Sequence, residues 1–294
     1  MQEKVRINFI DIAKIIGMFF IVLGHILRGG IITTWLYSFH VPLFFFLSGL
    51  TFHYTNSNLK SFLCRRAKTL LIPFFIWSLI SICLYSLISP FLSIDISSHS
   101  RNLNPLLKML LGYCDSNSPL WFLPCLFLSD FLLWIVLNLK QKYGIYMLAL
   151  ACLISLLSCF CWPLITEKVI FWNAQTALIL LPFPIAGYLI RDKLISLHCS
   201  FKEIIFSVLF LMVGGTVGTL ANHQIGYLGC YYGNPLVFYF AAFLSVIGIT
   251  YLCKILPRRP LITYCGKNTI YVLVMHKFVI TFFMVCPIIK NYMT

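Results

Sequence analysis

Residues 9–30 read FIDIAKIIGMFFIVLGHILRGG. The apolar part of this run is about 20 residues long, enough at 1.5 Å per residue to cross the roughly 30 Å hydrocarbon core of a bilayer. It nonetheless carries Asp11, Lys14 and His25. Ionisable groups at membrane depth face a protein interior or a water-filled path, so a span that holds three of them calls for a function. At 100° per residue Asp11 and Lys14 share a face, and Lys14 and His25 return to within about 20° of each other, which makes one polar stripe. Along the axis Asp11 and His25 are about 21 Å apart, too far for a direct acid–base pair. A plainer reading pairs Asp11 with Lys14 as an i, i+3 ion pair, with Lys14 snorkelling and His25 capping the far end. His25 differs from the other two because an imidazole exchanges a proton near neutral pH.

The rest of the chain has the same character. It has 294 residues, of which 60% are hydrophobic and only 10% charged, and its mean hydropathy is +0.92. Soluble domains carry about a quarter charged residues, so the fold class expected is all-α, a polytopic transmembrane helical bundle forming a single domain over residues 1–294. Apolar runs of spanning length occur at about 8–28, 34–53, 71–93, 119–138, 144–162, 174–191, 204–221, 234–255 and 268–289, nine in all. Segment 94–118 is polar, with an apolar patch at 106–111 too short to span, and reads as a surface or re-entrant loop. No leader peptide is evident, because the first run is followed by Arg28-Gly29-Gly30 rather than a small-residue cleavage site. The twelve cysteines are scattered, without metal or redox spacing, and no metal is expected.

A net charge of +14 raises the question of nucleic acid, but basic residues of membrane proteins gather in cytoplasmic loops. With the N-terminus cytoplasmic, fifteen Lys and Arg fall inside: Lys4, Arg6, Lys60, Arg65, Arg66, Lys68, Lys140, Lys142, Arg191, Lys193, Lys202, Lys254, Arg258, Arg259 and Lys267. Five fall outside, namely Arg28, Arg101, Lys108, Lys168 and Lys290. The asymmetry supports a multi-pass protein of the cell membrane with its N-terminus inside, and it accounts for the charge without nucleic acid.

Further polar residues sit in apolar surroundings. In WLYSFHVPLFFFLSGL (35–50), His40 precedes Pro42, which is expected to break the helix ladder and free a backbone carbonyl nearby. In LCRRAKTLLIP (63–73), Arg65, Arg66 and Lys68 stand before the third span, where they either anchor topology or hold a phosphorylated ligand. Asp130 lies inside the fourth span, functional or merely satisfied by Ser129 or a neighbouring helix. His40 and His276 could orient His25 or simply be hydrogen-bonded, and Trp121 with Phe122 could stack on a sugar or adenine or belong to an interfacial belt. Ser48 could carry an acyl group, but no base neighbours it in sequence.

The pattern D-x-x-K-x(10)-GH of the first span, FHVPLFFFLSG (39–49), RRAK with its following proline, PLWFLPCLF (119–127) and GKNTIYVLVMH (266–276) together resemble the membrane acyltransferase-3 superfamily. The resemblance runs from Asp11 to His276 with the motifs in family order. It implies transfer of an acyl group, most often acetyl from acetyl-CoA, to hydroxyls of cell-surface and secreted glycans. It places the family's essential histidine on His25, the first-span acid and base on Asp11 and Lys14, and the cytoplasmic arginine motif on Arg65 and Arg66. The chain departs from the family at Lys14, where Arg is common, and at Thr69, where a basic residue is common. Lysine keeps the charge and loses the bidentate fork. Family members often have about ten spans, and a further helix within 94–118 would supply the tenth.

The residues fit this chemistry. Acyl transfer to a sugar hydroxyl needs a base and close placement of the hydroxyl on the thioester carbonyl. His25 is the candidate base, and the inner basic loop is the candidate holder of the CoA phosphates. The partners expected are an acyl-CoA donor, a saccharide acceptor and the lipid bilayer, with oligomeric state left open. The alternative function is a transporter or flippase for a lipid-linked saccharide, which should show inverted repeats and paired broken helices. A structural scaffold gives no reason for Asp11, Lys14 and Asp130.

Overall fold

The computed structural model describes residues 7–27, 29–54, 58–92, 103–165, 170–197, 201–223, 225–257 and 259–285. Lys4, Arg6, Arg28, Arg101, Lys168, Arg258 and Lys290 of the charge census lie outside these residues. Among the described residues the long elements are all helices, and the only extended pairing is a single bridge between Gly226 and Tyr231. In chain order the first are α1 (Asn8–Leu27), α2 (Ile31–Tyr37), α3 (His40–Leu50), α4 (Leu59–Arg66) and α5 (Ile72–Leu92). Then come α6 (Pro105–Leu110), α7 (Phe122–Tyr143), α8 (Tyr146–Ile165), α9 (Ala174–Ile179) and α10 (Pro182–Ser196). The last four are α11 (Phe201–Leu220), α12 (Pro235–Ile255), α13 (Pro260–Lys267) and α14 (Thr269–Val285).

Among the described residues seven helical stretches are long and apolar enough to cross a membrane, namely 8–27, 31–50, 59–88, 105–143, 146–163, 202–220 and 235–255. The two other expected spans take different forms. The run at 174–191 is broken at Leu180–Leu181 into α9 and α10, because Pro182 and Pro184 remove the backbone N–H groups that a continuous ladder needs. The run at 268–289 is the shorter α14. Within 94–118 the described part holds the six-residue α6, about 9 Å long, and the start of a 3-10 turn at Asp115–Trp121, neither long enough to cross by itself.

The direction of α14 bears on the count. A Cβ on Gly266, at the end of α13, would meet Asp11 Cβ at 2.6 Å, and ten residues on, His276 meets His25. The segment 266–276 therefore runs alongside α1 in the same direction. Parallel spans have an odd number of crossings between them, which is the arrangement an odd total such as nine gives when α1 and α14 are the first and last crossings.

At the centre lies α3, all eleven of whose residues are buried. It packs almost backbone to backbone on α10, because a Cβ at Gly49 would collide with the Pro184 carbonyl and one at Gly187 with the Phe46 carbonyl. Small residues at such crossings are the usual way membrane helices approach closely. The outward faces are apolar in compensation: Ile76 and Leu87 of α5 and Ile205 and Phe206 of α11 are all more than half exposed, as a lipid-facing surface requires.

Pro42 does not break a helix as the sequence suggested. The break falls at Ser38–Phe39, and Pro42 sits in the first turn of α3, where a missing N–H costs nothing. His40 instead bonds to a carbonyl at the end of the preceding helix, one that also accepts from Phe39 N at 3.3 Å. Leu36 O, at the end of α2, accepts a hydrogen bond from His40 Nδ1 at 2.8 Å.

Candidate active site

Two polar clusters stand at opposite ends of α3. The first surrounds its N-terminus, where His25 of α1 lies against His276 of α14 with ring centroids 5.3 Å apart and planes tilted by 38°. His40 and Lys277 are the other ionisable side chains close enough to act on His25 electrostatically. Gly24, the residue before His25, is there for space. A Cβ would meet the Tyr37 ring at 2.9 Å, and that ring lies edge-on to His40 with centroids 4.7 Å apart. His40 and His276 are buried while His25 is half-buried, so His25 is the member of the cluster that a substrate can reach.

A loop closes this end. In residues 221–234, Tyr227 and Tyr232 are buried, Tyr227 OH donates to Tyr37 O at 2.7 Å, and Thr176 Oγ1 donates to Tyr227 O at 2.9 Å. Asn222 clamps the base of the loop, donating to Tyr232 O and accepting from Asn234 N, both at 2.9 Å. Burial holds both phenols well above their usual pKa, so they remain hydrogen-bond donors at any physiological pH. The Tyr227 ring also stands edge-on to His40 at 6.0 Å. Nothing in the apolar pattern of the sequence singled this loop out; its excess of Tyr and Gly over a lipid-facing segment was the available signal.

The second cluster lies towards the other end of α3. Ser48 Oγ donates to Asp130 Oδ1 at 2.5 Å, and Arg66 Nε stands 3.1 Å from Asp130 Oδ2. The Arg66 contact is an ion pair without the alignment of a hydrogen bond. Asp130 is thus satisfied by α3 and α4 and not by Ser129, whose hydroxyl is buried without a hydrogen bond. Arg66 also lies over the Phe52 ring at 5.6 Å. The helix unwinds to a π turn over Ala67–Leu71 immediately after Arg66, a local widening found often at functional sites. The result is a cleft of about 480 Å³ lined by Thr51, Phe52, His53, Phe62, Arg65, Arg66 and Thr69. His53 is in turn contacted by Arg191 of α10, Nη1 to Nδ1 at 3.1 Å. The cleft takes in Arg65 and Arg66 from the basic cluster, whereas Lys68 is exposed and does not line it.

The remaining sequence candidates take distinct places. Asp11 is buried where α1 crosses α13, and Lys14 is half-buried one turn further along, so the two ends of the stripe, Asp11 and His25, both face the α13–α14 segment. Trp121 packs edge-on against Phe122, which meets Phe44 and Phe45 of α3, and so belongs to the wall between the clusters. Asn117, which the sequence did not suggest, is fully buried and donates to Val274 O at 2.8 Å, two residues before His276. Among the described residues no group of three or more His, Cys, Asp or Glu could hold a metal ion.

The arrangement offers an imidazole reachable at one end of the bundle and a cationic cleft at the other, joined by one buried helix. No curated protein and no solved structure matches the chain. A family model does, the acyltransferase-3 model described as an acyltransferase domain, and it covers residues 7–286, from the start of α1 past the end of α14. The chain is therefore a multi-pass membrane acyltransferase belonging to the acyltransferase-3 family.

Proposed function

We propose that the protein transfers an acetyl group from acetyl-CoA to a sugar hydroxyl of a cell-surface or secreted glycan, with the cleft on the cytoplasmic side of the cell membrane and His25 facing the acceptor. The observation that carries this reading is the placement of Arg65 and Arg66 on a cleft at one end of α3, with His25, His40 and His276 at the other. The distance from Thr51, on the cleft, to His40 is about 16 Å along the helix axis, a gap for a long thin arm and not for a phosphate.

The chemistry follows from the parts. Arg65 and Arg66 hold the donor's phosphates by charge-assisted hydrogen bonds, and Asp130 sets the direction of the Arg66 guanidinium. The pantetheine arm enters the bundle beside α3 and brings the thioester towards His25. His25 takes the proton as the acceptor's O–H bond breaks, the oxygen bonds to the carbonyl carbon, and the C–S bond breaks with its electron pair going to sulfur. The proton then passes from His25 to the thiolate, which leaves as free CoA.

Protein reconstituted in lipid nanodiscs and given radiolabelled acetyl-CoA should label surface glycan that has been stripped of its esters by mild alkali. Mass spectrometry of surface glycans should show the corresponding O-acetyl group only in cells that carry the protein. Glycans identical with and without the protein, together with no labelling in nanodiscs, would overturn the reading.

A further inference from the structure

The first cluster holds two imidazoles where a single base would serve. His276 is 5% exposed. Its Nδ1 lies 3.1 Å from Val272 O. A carbonyl only accepts, so Nδ1 carries the proton and Nε2 of the neutral ring is a bare lone pair. That nitrogen is buried and has no hydrogen-bond partner. An unpaired buried acceptor is costly, and in a native site it asks for an occupant. The side chain beside it is His25, whose ring centroid is 5.3 Å away. Imidazoles joined edge to edge by an N–H···N bond of normal length have their centroids about 5 Å apart, so a turn of the half-buried His25 ring about its own bonds closes the link without moving either helix.

The position of His276 is fixed from outside the pair. Asn117, from the 3-10 turn Asp115–Trp121, donates to Val274 O and stands 3.4 Å from Ser81 Oγ of α5, tying this stretch of α14 to two other elements. At the inner end Gly266 lets the chain approach Asp11 closely, which sets the register between α1 and the α13–α14 segment. His40 and Lys277 also face His25, and Lys277 also faces His276. His40 has its Nδ1 committed to Leu36 O. As a cation, Lys277 cannot accept a proton.

We propose that His276 is a positioning residue for the base: its Nε2 accepts the N–H of His25 while Val272 O holds its Nδ1–H. His25 is thereby aimed with its other nitrogen towards the acceptor hydroxyl, and the charge it gains on taking the proton is shared with a second ring. No proton leaves the pair by this route. His25 gains one from the hydroxyl and returns it to the thiolate, and His276 keeps its own. This inference rests on the acyl-transfer reading above.

Two substitutions separate this role from a structural one. His276→Asn keeps an N–H that can reach Val272 O and deletes the acceptor at Nε2. His276→Gln places an amide oxygen near the Nε2 position and gives up the bond to Val272. Wild-type protein and variants are compared in nanodiscs with acetyl-CoA and alkali-treated surface glycan, and thermal melting is followed in parallel. The Asn variant should lose about 10- to 100-fold in kcat, the worth of a charge-assisted hydrogen bond, with KM for acetyl-CoA unchanged. The Gln variant should recover most of that loss. His276→Phe, which keeps the ring's shape, replaces Asn if the Asn variant fails to insert, with the same loss expected. A deletion variant that transfers at the wild-type rate, a Gln variant no better than it, or a loss that appears in KM alone would overturn the inference. Wild-type protein that transfers nothing would instead overturn the acyl-transfer reading, so the two failures are distinct.

Discussion

The ion pair between Arg66 and Asp130 makes an asymmetric prediction about stability. The Asp130 side chain is 1% exposed, and among the described residues its carboxylate has Ser48 and Arg66 to replace water. Arg66→Ala strands that carboxylate, and breaking a buried pair by removing one partner costs about 3–5 kcal/mol. The Arg66 side chain is 26% exposed and borders the cleft, so after Asp130→Ala the guanidinium can swing into water. The loss is then nearer that of one charge-assisted hydrogen bond, about 1.5–3 kcal/mol. Once Asp130 is gone, removing Arg66 as well gives up only its contact with Phe52, worth about 0.5–1 kcal/mol. The double variant should therefore be no less stable than Arg66→Ala alone, and the two single losses should fail to add by about 2.5–4 kcal/mol. At about 2 °C per kcal/mol for a chain of this size, Arg66→Ala should melt roughly 6–10 °C low and Asp130→Ala roughly 3–6 °C low. Thermal unfolding in detergent micelles, followed by fluorescence, measures all three. If Asp130→Ala proved the more damaging single change, or if the two losses simply added, the pair would not hold the bundle as described.

Three further outcomes follow from the geometry. His25→Ala should leave expression and acetyl-CoA binding near normal while transfer falls about 10²- to 10⁴-fold. His25→Gln should fall as far, because an amide cannot take a proton, and near-normal transfer by that variant would make His25 a hydrogen-bonding residue only. Arg65→Gln should weaken acetyl-CoA binding about 10- to 100-fold, read by calorimetry in nanodiscs, and unchanged affinity would reduce Arg65 to a topology signal. In a cysteine-free background, Lys142→Cys should resist a membrane-impermeant thiol reagent in intact cells while Ala221→Cys reacts, and the reverse would place the N-terminus outside.

Much of the fold could be read from the sequence, because lipid leaves few options: an apolar run of spanning length must satisfy its own backbone and so is helical. The stripe Asp11, Lys14, His25 was legible from the 3.6-residue period alone, and the structure adds that it faces the segment 266–276. Pairings between helices were not legible. Asp130 was visible as a polar residue in a span, yet its partners Ser48 and Arg66 lie 82 and 64 positions away, and no local pattern encodes which faces of α3, α4 and α7 meet. The same holds for Ser48, which lacks a base nearby in sequence and acquires a carboxylate neighbour from α7. Pro42 was misread for a different reason. A proline forbids the interior of a helix but suits its first turn, and which applies depends on where the preceding helix stops. The loop at 221–234 was missed because its packing rests on tyrosine hydroxyls donating to distant partners, Tyr227 to the Tyr37 carbonyl and Tyr232 to the Thr176 hydroxyl, which leave no periodic trace.

The orientation of α3 explains why side-chain cations are needed where they stand. Anion sites built on a helix usually use its N-terminus, where free N–H groups and the positive end of the dipole face the ligand. The cleft here lies at the C-terminal end of α3, with Thr51, Phe52 and His53 on its wall, so the end carbonyls turn negative partial charge towards whatever binds. A phosphate would be repelled there unless side chains reversed the field. Arg65 and Arg66 do so from the last turn of α4, and Arg191 adds to it through His53. The same polarity puts the N-terminal end of α3, the positive end of its dipole, beside His25. One buried helix thus sets opposite fields at its two ends, positive at the head beside His25 and negative at the tail where the arginines stand. On the reading proposed above, the acceptor meets His25 at the head of this helix and the donor's phosphates meet Arg65 and Arg66 at its tail.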